Sequence, residues 1–441
     1  MILSMAGLIG GLALLIALTI RGMNILIAAP ICGLVVAIAS GIPLIPPLAA
    51  EGGDSFTLGY MTGFSGFLRD WFIVFLLGAM FGKVMEDSGA ADSVAQAIVR
   101  KLGIRHAAMG VVLACAVLTY GGISVFVVAF SVYPMALSLF KQADLPRRFI
   151  PAALAFGSGT FTMTSAGSME IQNFLPMKYL DTNQYAGWTV SLPVALFMAV
   201  AGMWWFEKML KRARLRGEHF EDRGDIPAAA RHQNLPHPLL GVLPLALVLA
   251  TSFYCSVVLK FGDTSLVVAL LAGLICSAAI YWKNLTDFGS AMSASTFGAL
   301  VAISNTCAVV GFGSVAKMTP AFQESLAYMT AIPGNGLIGA AVAISVIVAL
   351  TGSSSGGQAI ALPILGPHYI GEGVDPDALH RVVAITSGGL DSLPHNGYVV
   401  TTIRAICGET HRSAYLPVGA LTVVVPFTGA VLAIILFILG L

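Results

Sequence analysis

The sequence predicts an all-α polytopic membrane protein built from two inverted-topology repeats, each with a re-entrant hairpin and a broken transmembrane helix. Three observations lead there. The 441 residues are 57% hydrophobic and 10% charged, with mean hydropathy +0.86, whereas ordinary globular chains carry about a quarter charged residues. Two apolar elements are too long for one crossing, and two others are interrupted by polar, glycine-rich stretches. These features recur at a constant offset of 231 residues, Gly157 falling on Gly388, which is how a repeat-built membrane protein reads.

A net charge of +1 points to neither nucleic acid nor an acidic partner. Six cysteines stand singly in apolar runs without CxxC or CxxH spacing, so neither a disulfide framework nor a metal site is expected. The start of the chain lacks a basic n-region and a small-residue cleavage site, and reads as a first spanning helix.

A span needs about 20 apolar residues. Residues 2–20 and 24–41 fit the first two, and a loop with Pro43, Pro46, Pro47, Glu51 and Asp54 leads to a third at 71–85. Glu86 and Asp87 end that span as capping residues. Residues 87–101 are too polar to cross and read as an interfacial helix. The stretch 104–140 would be roughly 54 Å long as one helix, against a hydrocarbon core of about 30 Å. Basic residues flank both of its ends, so both prefer the cytoplasmic side. A re-entrant hairpin with its tip at Tyr120-Gly-Gly-Ile-Ser124 satisfies this, and one long helix kinked at the glycines is the alternative. Span 149–176 is interrupted by Gly157-Ser-Gly-Thr-Phe-Thr-Met-Thr-Ser-Ala-Gly-Ser168, and 188–206 closes the first half.

The polar stretch 207–238, rich in Lys and Arg through Arg231, reads as a cytoplasmic linker between a first repeat (1–206) and a second (239–441). The second half follows the same order. Spans 239–258, 266–282 and 296–315 precede an interfacial candidate at 319–332. A second over-long element, 337–369, breaks at Thr351-Gly-Ser-Ser-Ser-Gly-Gly357, and Ser387-Gly-Gly-Leu-Asp-Ser-Leu-Pro-His-Asn-Gly397 interrupts the next span before 416–441 ends the chain. At the common offset Phe81-Gly82 falls on Phe312-Gly313, and Tyr120–Ser124 on Thr351–Ser355. Each half makes an odd number of crossings, so the halves are expected to be inverted. With the linker inside, only Arg69, Lys178, Lys260, Lys317 and Arg381 of the 23 Lys and Arg fall outside, in keeping with the positive-inside rule. Both termini then come out periplasmic.

Two tips and two breaks entering from opposite sides bring half-helix ends to the midplane. Unpaired N–H groups at half-helix N-termini suit a carboxylate. The candidate substrate-binding residues are Gly121, Gly122, Ser124, Ser158, Thr160, Thr162, Asn305, Ser353, Ser354, Ser355, Gly389, Ser392 and Asn396. Hydroxyls donate to an anion or to substrate hydroxyls, and glycines allow the turn and a close backbone approach. Helix packing alone explains isolated small residues but not matched clusters in both halves. Asn305 suits a site amide or a packing bond equally. Asp391 and His395 have neutral repeat mates, Thr160 and Thr164. An intramembrane acid reads first as an ion or proton pathway, so these two are the proton-coupling candidates. The bland alternative is an Asp that caps a half-helix and a His satisfied by backbone. Arg381 either steers anions on the outer side or marks the interface.

Leu350-Thr-Gly-Ser-Ser-Ser-Gly-Gly357, Leu379-His-Arg-Val382 with Ser387–Gly397, and Met85-Glu-Asp-Ser-Gly-Ala90 resemble the gluconate permease (GntP) family of the wider ion-transporter superfamily. The likeness spans nearly the whole chain. It implies a proton-coupled importer of small organic anions, gluconate or a shorter acid such as 3-hydroxybutyrate, in the inner membrane, and not an enzyme. It also implies a homodimer whose hairpin-bearing core moves as an elevator, with no cofactor beyond the coupling ion. Ser304-Asn-Thr306 resembles a sodium-site motif of that superfamily but sits within a full span. A sodium-coupled symporter or a sodium–proton antiporter is the other transporter reading. An intramembrane hydrolase is disfavoured: no HExxH appears, and Asp391 and His395 lack an evident nucleophile.

Overall fold

In the computed structural model, residues 2–48, 53–223, 235–262, 264–283, 285, 288–330, 332 and 334–441 are described; Glu51 and Arg231 of the expected loops lie outside them. Among these residues all regular structure is helical, as backbone in hydrocarbon requires when no barrel is closed. The first half runs α1 (Ile2–Ile20), α2 (Ile25–Ala39), α3 (Phe56–Asp87), α4 (Ala90–Leu102), α5 (Ala107–Tyr120), α6 (Val125–Gln142), α7 (Ile150–Gly159), α8 (Leu175–Leu180) and α9 (Trp188–Leu215). The second runs α10 (Pro238–Phe253), α11 (Thr264–Tyr281), α12 (Phe288–Lys317), α13 (Pro320–Thr330), α14 (Gly336–Thr351), α15 (Ser354–Gly371), α16 (Pro376–Leu390), α17 (Gly397–Val400), α18 (His411–Gly419) and α19 (Val425–Ile438). A π turn joins α18 to α19 into one apolar helix.

Eight described helices are long and apolar enough to cross a bilayer. Large apolar side chains such as Leu196, Trp204, Leu243 and Phe297 stand exposed on them, at home against lipid and a liability in water. The third span is longer than its apolar run suggests. α3 has 32 residues and α12 has 30, about 48 and 45 Å of helix. Ser55 caps α3 by accepting from Leu58 N, so helix begins where the sequence reads as loop.

The over-long elements are helical hairpins. α5 packs on α6 and α14 on α15, with turns at Gly121–Ser124 and at Gly352–Ser353. Gly122 (φ +98°) and Gly352 (φ +61°) hold the left-handed conformations these reversals need. α4 meets the following helix at 111° and buries Ala90, Val94 and Val99, as an element lying across the spans should. The broken spans appear as α7, a non-helical stretch and α8, and as α16, a shorter gap and α17. α7 ends at Gly159 and α16 at Leu390, which is the repeat offset.

Helices pack in two sets that also touch each other, α12 on α15 and α10 on α4. α12 packs on α3 and α2, and α11 on α3 and α10. The hairpins pack on the broken spans, and α16 packs on α19, which in turn packs on α9. Residues following α9 fold back as a strap over the base of the first hairpin. Glu218 pairs with Arg148 (2.7 Å), Asp222 with Lys141 (2.6 Å) and Arg223 with Glu409 (3.0 Å). Lys141, Arg148 and Arg223, three of the cations expected on the cytoplasmic side, therefore meet at this strap.

Two outcomes test this packing. An ideal Cβ on Gly157 would lie 2.3 Å from Val112 O and 2.8 Å from Cys115 Cβ, while Gly159 has open space. Gly157→Ala should destabilise the protein by about 1–3 kcal/mol in thermal unfolding of the detergent-solubilised protein, and Gly159→Ala should leave the transition in place. Arg148 beside Glu218 holds its carboxyl below the usual carboxylate range. A lowered folded-state pKa gives stabilisation that is complete at neutral pH and fades as pH falls through it. Hydrogen-exchange protection of residues 216–223 should thus weaken below about pH 4; unchanged protection would show that the strap does not depend on this pair.

Candidate functional site

The two breaks are joined by one residue. Arg381, in the second turn of α16, is fully buried. Its Nε and Nη2 donate to Ala186 O (3.0 and 2.9 Å), Nη1 to Thr164 O (2.7 Å) and to Asn173 Oδ1 (2.9 Å), and Nη2 also to Gln184 O (3.2 Å). Asn173 donates in turn to the carbonyls of Ser165, Ser168 and Gln184 (3.1–3.2 Å). A planar fork with five N–H donors suits this task, and an ammonium does not. Arg381 therefore neither steers anions from outside nor marks an interface: it holds the non-helical first break against α16. The breaks also touch directly, since a Cβ on Gly388 would meet Thr164 Cγ2 at 2.7 Å.

The second hairpin tip and the second break form a compact polar cluster. Ser353 caps α15 through Gly356 N (3.1 Å). Ser354 donates to Ser387 Oγ (2.8 Å), which also accepts from Gln358 (2.6 Å). Asn396 donates to Gly352 O (3.0 Å) and caps α17 by accepting from Val399 N (2.9 Å). Asp391 is buried, accepts from Ser392 Oγ (2.9 Å) and sits against the backbone N–H of Ser354, the first residue of α15. His395 is buried too, and its Nε2 has no hydrogen-bond partner. That nitrogen lies 2.6 Å from where a Cβ on Gly352 would be, so the imidazole faces the tip and only glycine leaves it room. Ser355 is buried, with Ser353 Oγ 3.5 Å away.

The first-half candidates are arranged differently. Ser158 donates to Leu154 O (2.7 Å) and lies 2.9 Å from Tyr398 Oη. Thr160 donates to Leu421 O, and Thr162 to Gly157 O and Ser158 O. Their protons are engaged on backbone carbonyls, so these hydroxyls do not donate to a substrate. Ser124 stands at the N-cap of α6 without a side-chain cap bond, half-buried. Gly121 packs on Leu245 and Gly122 on Met169 and Leu270. Gly121 and Thr162 also border a cavity of about 510 Å³, but apart from Tyr120 and Ser165 its other walls (among them Ala116, Leu196, Ala246 and Leu249) are apolar, so it does not suit a carboxylate. Asn305 sits mid-helix in α12 and makes no hydrogen bond to a tip or break among the described residues. Gly389 lies at the end of α16, 3.8 Å or more from the nearest atoms a Cβ would meet.

Sequence reading missed three things. Glu170 is a half-buried acid just past the window quoted for the first break. Asn173 is the hub of that break, visible in the sequence only as one more amide. Gly352-Ser-Ser-Ser-Gly356 also carries the GxSxG spacing of a nucleophile elbow. Ser354, the central serine, donates to Ser387 rather than to a histidine, so no activated nucleophile forms.

Comparison with known proteins agrees with this architecture. The chain matches the GntP family permease description over residues 1–352. It is 35% identical over 416 residues to the transporter YxjC of Bacillus subtilis, covering 85% of this chain and 88% of that one. It is 32% identical to a high-affinity gluconate transporter of Escherichia coli over 96 residues, 21% of each chain. Among solved structures, the YdaH transporter of Alcanivorax borkumensis superposes with TM-score 0.57 at 17% identity, over 97% of this chain and 99% of that one. MtrF of Neisseria gonorrhoeae superposes with TM-score 0.54 at 16% identity, over 92% and 93%. These two show the fold alone.

Replacing Arg381 tests the clamp. Arg381→Met leaves the carbonyls of Thr164 and Ala186 without donors, while Gln184 O keeps those of Asn173 and Gly167, and buried polar groups without partners cost about 1–3 kcal/mol each. Thermal unfolding in detergent should show a loss of at least about 3 kcal/mol, with Arg381→Lys recovering only part. A variant as stable as the parent would mean the breaks are held by something else.

Proposed function

We propose that this chain, which belongs to the GntP permease family, is a secondary active transporter importing a small hydroxycarboxylate anion with a proton across the inner membrane. It is a multi-pass membrane transporter rather than an enzyme. The observation that carries the finer reading is the placement of Asp391: a buried acid set against the N-terminal N–H of a hairpin helix, beside a buried histidine nitrogen without a partner.

The chemistry follows from competition. The N-terminus of α15 offers N–H groups and a partial positive charge to an anion. While Asp391 is ionised, its own carboxylate occupies that place. A proton on Asp391 removes the internal anion and frees the N–H groups for the substrate carboxylate. His395 Nε2 is positioned to accept or pass that proton, or to bond a substrate hydroxyl. Substrate and proton then enter together, because either alone leaves a charge or an unsatisfied donor in a dry site. Free Ser124 at the N-cap of α6 provides a second polar contact from the opposite tip.

The movement proposed is that of an elevator. The hairpins, broken spans, α9 and α19 form the moving body, and α1–α3 with α10–α12 form the scaffold, with homodimer contacts on the latter. Residues 1–206 and 239–441 are proposed as the two inverted repeats joined by the linker 207–238. The matching helix bounds support the repeat, and the gathering of basic residues beside the strap supports a cytoplasmic linker.

Uptake of labelled 3-hydroxybutyrate or gluconate into proteoliposomes under an imposed pH gradient tests the function. Accumulation should follow the gradient, and Asp391→Asn should reduce accumulation by at least about tenfold while sparing counterflow of labelled for unlabelled substrate. Uptake that needs sodium and ignores the pH gradient would instead establish the sodium-coupled reading.

A further inference from the structure

We propose that Glu170 is a second proton-carrying carboxylate, so that each monovalent substrate anion enters with two protons and a net positive charge. The inference rests on the proton-coupled reading above and extends it from one coupling acid to two.

Glu170 lies in the first break, between α7 and α8, in a segment held rigid on both sides. Its N–H reaches Ser168 Oγ (3.4 Å), and its carbonyl accepts from Asn173 N (2.9 Å). Asn173 is itself fixed by three carbonyls and by Arg381. The preceding residue, Met169, packs on the first hairpin tip, its Cβ 3.4 Å from where a Cβ on Gly122 would lie. Glu170 is thus the acid of the first break beside the first tip, as Asp391 is the acid of the second break beside the second tip. The two do not occupy equivalent repeat positions, since the offset places Thr401 opposite Glu170. One carboxylate per hairpin is the outcome all the same.

Glu170 is half-buried and, among the described residues, has no ion-pair or side-chain hydrogen-bond partner. The charged and imidazole side chains on the elements packed around its turn are engaged elsewhere, while the buried Tyr369 hydroxyl of α15 has no partner among the described residues. On α8, Lys178 pairs with Asp70. On α15, His368 pairs with Glu372 (3.4 Å). On α16, His380 bonds Thr182 (2.7 Å), Arg381 bonds the carbonyls of the break, and Asp377 meets the N–H of Gly187. At the tip, Tyr120 donates to Ala166 O (2.7 Å). Two residues on, Gln172 Oε1 is also buried without a donor. A carboxylate left without a counter-ion in a membrane segment is costly unless it binds a cation in the working cycle. A proton added to Glu170 provides that.

Charge measurement decides the matter. A monoanion with one proton is electroneutral, whereas with two it carries one positive charge. At fixed pH gradient, a valinomycin-set potential of 100 mV, inside negative, should raise wild-type accumulation of 3-hydroxybutyrate roughly 50-fold. Glu170→Gln should still accumulate substrate down a pH gradient yet ignore the potential, with counterflow certifying that it is folded. Should Gln not reconstitute, Glu170→Asp is expected to keep the potential dependence and Glu170→Ala to lose it. Wild-type uptake driven by the pH gradient but indifferent to potential overturns this inference and leaves the proposed function standing. So does a Glu170→Gln protein with undiminished potential dependence. Wild-type uptake indifferent to the pH gradient overturns the proposed function itself.

Discussion

The architecture depends on a guanidinium buried between two interrupted helices. A span broken at mid-depth exposes carbonyls that neither water nor helix satisfies, and hydrocarbon makes each one costly. Arg381 answers this for the first break, with α16 providing the donor and the break providing Thr164, Gln184 and Ala186 as acceptors. No carboxylate bonds its side chain among the described residues. The positive charge is compensated by carbonyl dipoles and by Asn173, so the clamp is tied to backbone geometry. Cutting the break loose would strand the charge and the carbonyls together, which makes the two broken spans one mechanical body.

That rigidity explains how function is distributed over the cluster. The hydroxyls of Ser158, Thr160 and Thr162 bond carbonyls within the body, and Ser353 and Asn396 cap helix starts. These groups hold the half-helix ends in place. Among the described residues, the groups left without a side-chain partner include His395 Nε2, Gln358 Oε1, Thr386 Oγ1 and Glu170, while Asp391 bonds Ser392 and lies against the start of α15. On the proposed reading, a site whose frame is largely bonded internally is preorganised for a small anion and its coupling protons.

Much of this was legible in the sequence because membrane solvation is unforgiving. Polar residues within an apolar run must break the helix or face a cavity, so Gly157–Ser168 and Ser387–Gly397 marked the breaks before any coordinates existed. Excess length marked the hairpins, and the offset tied the halves. Arg381 was misread for the opposite reason. A cation at the sixth residue of a span looks like an interfacial charge when nothing shows that carbonyls 195 to 217 residues away will surround it. The length of α3 was hidden by Arg69 and Asp70, which end the apolar run but not the helix; one neighbour of that pair is Lys178. Glu170 escaped because the match between halves stops at Ala166 and Gly397, and residues outside a repeat carry no pattern to draw the eye.

On the proposed reading, the departures from the repeat are where coupling chemistry belongs. Two halves with the same fold can place helix starts on both sides of an anion, and for that task symmetry suffices. A transporter must also distinguish loaded from empty, and a pair of identical neutral tips cannot. Asp391 and His395 stand where the first break has Thr160 and Thr164, so at these matched positions only the second break is titratable. On the proposed reading, Asp391 holds the place of the substrate carboxylate at α15 until a proton displaces its charge. The empty site is then satisfied internally and the loaded site by substrate, whereas the half-loaded states leave either two anions or none at one helix start. It is this difference in satisfaction, set by one acid against one N-terminus, that would let a symmetric frame move only when both passengers are aboard.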